Sequence, residues 1–296
     1  MAASPTFEVV TLAAGLGHPE GPDVLSDGRV VMVETYTGKI VAWSGERGLH
    51  DYLVCDGGPN ACTVGSDGAV YITQNGGTAG AWKAKVMSTP SIQRGWPDGR
   101  MDVVASSVAG VELQAPNDLC FGPDGSLYFT DPSDYTPDAP GDGRLMVLHP
   151  DRSGEVLETL PGMYPNGIVA EPDGAIVWVD SYGSGVYRKR AGRSSDKLCQ
   201  LPDGHIPDGL KLDAEGNMWV TAYTGAGLDV IRPDGTYVEF VPTGGCPLNC
   251  TFHGGSLYVT DLGDIDGDHE DAFMGGRLWR LDVGIEGAER YRGAIA

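Results

Sequence analysis

Six segments of the 296-residue chain carry a short oxygen-bearing side chain at or close behind a proline. They are His18-Pro19-Glu20, Pro59-Asn60, Pro116-Asn117, Pro165-Asn166, Pro207-Asp208 and Pro247-Leu248-Asn249. The six anchors, Glu20, Asn60, Asn117, Asn166, Asp208 and Asn249, comprise two carboxylates and four amides. Brought together, they would form a ring of oxygen donors, which suits a hard divalent cation. No His or Cys stands at an anchor, which disfavours zinc. Calcium fits best, with magnesium or manganese behind it. Asn and Asp beside proline are also ordinary turn residues. A turn role alone, however, would admit Ser and Gly, and neither appears at the six positions. A cation held by two carboxylates polarises a carbonyl oxygen and lowers the pKa of bound water. That equipment suits hydrolysis of an ester or lactone. No glycine fingerprint for a dinucleotide follows a strand, and Asn75–Gly80 lacks the required spacing. No G-x-S-x-G elbow is present, which argues against a serine hydrolase.

The elements that would position the anchors repeat with them. Seven residues after each of the first five anchors stands a turn: Asp27-Gly28, Asp67-Gly68, Asp124-Gly125, Asp173-Gly174 and Glu215-Gly216. The sixth copy is shorter and has Gly254-Gly255. An apolar run follows each turn: VVMVE from Val30, VYITQ from Val70, LYFTD from Leu127, IVWVD from Ile176, MWVTA from Met218 and LYVTD from Leu257. These β-branched and aromatic runs read as strands joined by hairpins. The anchor spacings are 40, 57, 49, 42 and 41 residues, against about 40–45 for a four-stranded propeller blade. The pattern predicts an all-β, six-bladed β-propeller with four-stranded antiparallel blades, a single domain over residues 1–296. Phe7–Leu12 would close the ring beside Arg277–Val283, removing open sheet edges. The innermost strand of each blade would line a central channel and carry one anchor. Residues 76–110 and 262–275 exceed the repeat and are expected to form loops over one face.

Composition agrees with this. The chain holds 45 Gly and 20 Pro, 65 of 296 residues or about 22 percent, where average usage is roughly 12 percent. The excess has no collagen period, so it marks many turns. The formal net charge is −21, and no basic cluster offers a phosphate-binding surface, so nucleic acid and anionic membranes are not expected partners. No apolar run approaches a membrane span. The first residues do not resemble a secretory signal. A cytoplasmic location is expected, with six cysteines as buried thiols. A Cys246–Cys250 disulfide stays open, as does the oligomeric state.

Other residues could take part. His18 and His205 lie close to anchors and are candidates for a general acid or base, although either can be a turn-packing histidine. Asp264, Asp266, Asp268, Glu270 and Asp271 resemble part of a calcium loop but lack its spaced Glu, and read better as a solvated loop. Trp43, Trp178, Trp219 and Trp279 fall on strands and read as core. Trp82 and Trp96 are the tryptophan candidates for substrate contact.

The ordered motifs His18-Pro19-Glu20-Gly21-Pro22, Pro116-Asn117-Asp118-Leu119, Phe129-Thr130-Asp131-Pro132, Pro165-Asn166-Gly167-Ile168, Pro207-Asp208-Gly209 and Gly276-Arg277-Leu278-Trp279-Arg280 resemble the SMP-30/gluconolactonase/LRE-like family over essentially the whole chain. The resemblance implies one divalent metal bound by Glu20, Asn166 and Asp208. Calcium comes first, and magnesium, manganese, zinc or ferrous iron could replace it. Asn117, with Asn60 and Asn249, would contact substrate. Asp208 would assist water attack on a lactone or related ester. Sugar-lactonase members often carry an Arg two residues before the Asn-Asp motif; here that residue is Ala115, which argues against an aldonolactone. Two rivals remain: a lyase or isomerase in which Asp208 abstracts a carbon-bound proton, and a non-catalytic ligand-binding propeller.

Overall fold

The computed structural model describes residues 7–80, 82–263 and 274–296. Six four-stranded antiparallel sheets form a six-bladed β-propeller. The innermost strands of blades one to six are Pro19–Val24, Pro59–Val64, Leu119–Phe121, Pro165–Ala170, Pro207–Leu212 and Pro247–His253. The apolar runs form the second strands. Asp-Gly turns link them to the first. In four of these turns the aspartate Oδ1 accepts the N–H two residues on, at 3.0–3.1 Å. The following glycine takes φ of 76–85°, a left-handed conformation that costs other residues strain. The ring closes as expected but with a longer strand. Val9–Leu16 pairs antiparallel with Gly276–Leu281 and completes blade six.

Alternate residues of each strand fill the space between blades. Six apolar clusters result, one at each junction. Trp178, Trp219 and Trp279 are buried in them, and Trp43 packs at the edge of the junction between blades six and one.

One expectation fails. The stretch 76–110 is not simply a loop, because Ser91–Gly95 and Met101–Ala105 are the two outer strands of blade two. Met101–Ala105, MDVVA, is the last strand and partly meets solvent, whereas Ser91–Gly95, SIQRG, is the third strand and is largely buried despite its polar residues. Two short hairpins, Thr78–Ala79 with Trp82–Lys83 and Ser107–Val108 with Val111–Glu112, flank them. Most of 262–275, including Asp264 to Asp271, lies outside the described residues.

The C-terminal segment crosses one end of the channel. Ala288 N–H donates to Leu212 O, Ser66 N–H to Gly293 O, and Ala296 N–H to Pro150 O, each at 2.8–2.9 Å. Arg292 is paired with Asp23 and also donates to Val24 O and Val64 O.

Candidate active site

Two repeated devices hold the anchors. The first uses the polar residue that ends each second strand. Glu34, Gln74, Asp131, Asp180 and Asp261 accept the N–H of Gly17, Gly58, Ala115, Tyr164 and Cys246, at 2.6–3.0 Å. Each donor lies two or three residues before an anchor, so the side chain latches the approach to it. The four with carboxylate acceptors contribute about 1.5–3 kcal/mol each, and the neutral Gln74 amide less. The second device joins neighbouring blades. Thr35, Thr73, Thr130, Ser181 and Thr221 each donate a hydroxyl proton to the next blade's carbonyl at Pro59, Asn117, Asn166, Pro207 and Leu248, at 2.5–2.8 Å. Neither role was assigned from sequence, although the Thr recurs at the fourth position of VYITQ, LYFTD and MWVTA.

Five of the six anchors meet in one cavity of about 370 Å3 at the other end of the channel: Glu20, Asn60, Asn117, Asn166 and Asp208. Asn249 does not line it. The sixth copy has one more residue after its proline, so Leu248 takes the anchor register. Asn249 lies deeper, 1% exposed. Its Nδ2 donates to Asp118 Oδ2 at 3.3 Å, and its side chain also hydrogen-bonds Glu20. Substrate contact by Asn249 therefore gives way to support of the carboxylates. Asp118, unassigned from sequence, is a third buried carboxylate beneath the ring.

Charge is uncompensated here. Burial pushes the Glu20 carboxyl well above its usual range; the charges of Asp208 and Asp118 push it further, against hydrogen bonds from Gly21 N–H and Asn249. Burial also raises Asp208, to about 8, with Asp118 adding repulsion and Asn166 opposing it by a hydrogen bond. Lys211 Nζ stands 4.0 Å from Asp118 Oδ2, but among the described residues no Lys or Arg lines the cavity. Buried like charges without a partner are costly, and a divalent cation would supply the missing charge. The donor chemistry fits one: two carboxylates and an amide, all oxygen. Among the described residues no three His, Cys, Asp or Glu side chains converge as a ligand set, so a cation held here would draw on amide oxygen as well.

The other candidates separate. His18 lines the cavity, with φ of 56° and its ring 4.8 Å from Tyr36. Burial lowers its pKa to about 4, so the imidazole is neutral near pH 7. His205 does not line the cavity; its Nδ1 is 3.0 Å from both Asp229 oxygens, so it is a packing histidine. Trp82 stacks at 4.8 Å on Tyr36, a cavity residue. Trp96 instead takes Arg94 and Arg100 over its ring, away from the cavity. Tyr36, Tyr135, Tyr164 and Tyr223 line the wall and were not singled out from sequence. Cys246 and Cys250 are not bridged. Among the described residues no helix is long and apolar enough to cross a membrane.

The chain is 25% identical to a gluconolactonase from Zymomonas mobilis, over 85% of this chain and 78% of that one. It is also 25% identical to a pentonolactonase from Haloferax volcanii, over 97% of each. A solved structure described as a calcium-binding protein, regucalcin, from Agrobacterium tumefaciens has the same fold, with a TM-score of 0.77, 18% identity and 98% of each chain covered. The model of the SMP-30/Gluconolactonase/LRE-like region matches residues 18–262, and the chain belongs to that family.

Proposed function

We propose that this protein hydrolyses a lactone, or a related carboxylic ester, in the 370 Å3 cavity, with Glu20, Asn166 and Asp208 as the oxygen ligands of one divalent cation, calcium first. The observation that carries this reading is the pair of buried, uncompensated carboxylates, Glu20 and Asp208, facing a cavity without Lys or Arg among the described residues. Membership of the family supports it, as do relatives named for lactone hydrolysis.

When bound, the cation supplies Lewis acidity toward the lactone carbonyl. Asp208 accepts a proton from water as the water oxygen bonds to the carbonyl carbon. The acyl C–O bond of the ring then breaks, and that proton passes to the departing ring oxygen, leaving a hydroxy acid. Asn117 and Asn60 orient the substrate through their amides. Asn249 and the Gly21 N–H hold the Glu20 carboxylate in place. The reading calls for a soluble, cytoplasmic enzyme acting on a small molecule.

The test is a panel of lactones and esters against protein stripped with chelator and reloaded with calcium, magnesium, manganese, zinc or ferrous iron. Turnover in heavy-oxygen water should place one solvent oxygen in the product carboxylate. Turnover without that oxygen would favour the proton-abstracting lyase or isomerase reading; no turnover with any metal would favour a binding propeller.

A further inference from the structure

The wall beside Asp208 is built of tyrosines. Tyr135, Tyr164 and Tyr182 pack together with ring centroids 5.1–5.4 Å apart. The Tyr135 and Tyr223 hydroxyls are 3.3 Å apart, and the Tyr182 hydroxyl accepts the Thr136 N–H at 2.7 Å. Tyr164 is hydrogen-bonded to Asn117, and both Tyr164 and Tyr223 lie close enough to Asp208 to feel its charge. The hydroxyls thus serve one another and the protein, and the rings are what the wall offers. The rings touch one another, so they form a surface rather than an open cage around a cation.

The rest of the lining is mixed, with Asn60, Asn75, Thr78, Ser133, Asp134 and Thr136 as polar members. Ala79, Ala115, Leu248 and Leu262 add apolar surface. Ser181, also in the lining, spends its hydroxyl on Pro207 O, and Asn75 Oδ1 accepts the Gly77 N–H. With no Lys or Arg lining the cavity among the described residues, no side-chain cation there pairs with a carboxylate or phosphate on a substrate.

We infer that the lactone taken by this site is uncharged and carries a flat aromatic or comparably apolar substituent, which lies against Tyr135, Tyr164 and Tyr223. This rests on the lactone-hydrolysis reading. The carbonyl faces Glu20 and Asp208 while the substituent meets the tyrosine wall.

The experiment compares kcat/KM of the calcium-loaded protein for three five-membered lactones: γ-phenyl-γ-butyrolactone, γ-butyrolactone and erythrono-γ-lactone. The phenyl compound should be preferred over each of the others by about tenfold, the scale of one good aromatic contact with its burial. Tyr135→Ala should remove most of that preference by raising KM for the phenyl compound more than for γ-butyrolactone. Tyr135→Phe, which keeps the ring and loses the hydroxyl, should retain the preference. Tyr135 is 37% exposed, and Tyr223→Leu gives a second readout should the first variant unfold. Preference for erythrono-γ-lactone, or equal losses on all three lactones, would overturn the inference and leave lactone hydrolysis standing. Turnover of no lactone at all would overturn both.

Discussion

Glu20 and Asp23 lie three residues apart on one buried strand, yet their carboxyl groups are driven in opposite directions. Burial would raise both. At Glu20 it is reinforced by Asp208 and Asp118. At Asp23 it is outweighed by the charge and hydrogen bonds of Arg292, with Arg290 adding at 3.4 Å, and the carboxyl is held below its usual range. The two ends of the channel thus share a strand and a degree of burial, and differ in what faces them. At one end the C-terminal segment brings cations to the acid and closes the channel. At the other the acids face a cavity and no protein cation. A propeller has stability to spend at one point of its ring only if the rest is well fastened, and the paired end supplies that fastening.

The sharpest way to break the comparison is at the unpaired end. Asp208→Ala should lower lactone turnover by roughly 10^3-fold or more, since it removes both a metal ligand and the proton acceptor. Thermal and denaturant stability should be little reduced, and unchanged turnover in a steady-state assay would refute the assignment. At the paired end, Arg292→Met should cost about 2–3 kcal/mol in urea unfolding, because Asp23 keeps only Arg290 for its charge. Its kcat should stay within about twofold, and a loss of turnover without a loss of stability would show the two ends to be coupled.

Proton linkage separates the ends further. The folded-state pKa of Asp23 lies below its unfolded value, so its contribution is complete above the unfolded carboxylate range of about 4 and is lost as pH falls through the folded pKa. Wild-type stability should therefore drop more steeply below about pH 4 than that of Arg292→Met. Parallel curves would contradict the pairing. The smallest effect is expected at His205, whose ring serves Asp229 and Phe240. His205→Asn should leave kcat/KM within about twofold.

The blade repeat was readable because prolines, Asx residues and glycines punctuate it at fixed intervals, and each has a backbone reason for its place. The same punctuation misled at blade six, where the inserted Leu248 shifted Asn249 out of the ring. Ser91–Gly95 escaped notice because it buries Ser91 and Gln93 beside Ile92 and so shows no apolar run in the sequence. The latches made by Glu34, Gln74, Asp131, Asp180 and Asp261 join residues 15–17 positions apart, a relation visible only once the strand pairing is known. The tyrosine wall was least accessible, since Tyr135, Tyr164 and Tyr223 come from three blades and share no motif. The oxygen-bearing anchors follow the repeat, whereas the tyrosine wall does not.

The account turns on whether the uncompensated carboxylates work through a divalent cation. Lactone hydrolysis should be measured on chelator-treated protein before and after calcium is restored, in the wild type and in Asp208→Ala. Activity that vanishes with the chelator, returns with calcium in the wild type and does not return in the variant is the predicted result. Full activity in the presence of chelator, or calcium-restored activity in Asp208→Ala, would contradict it.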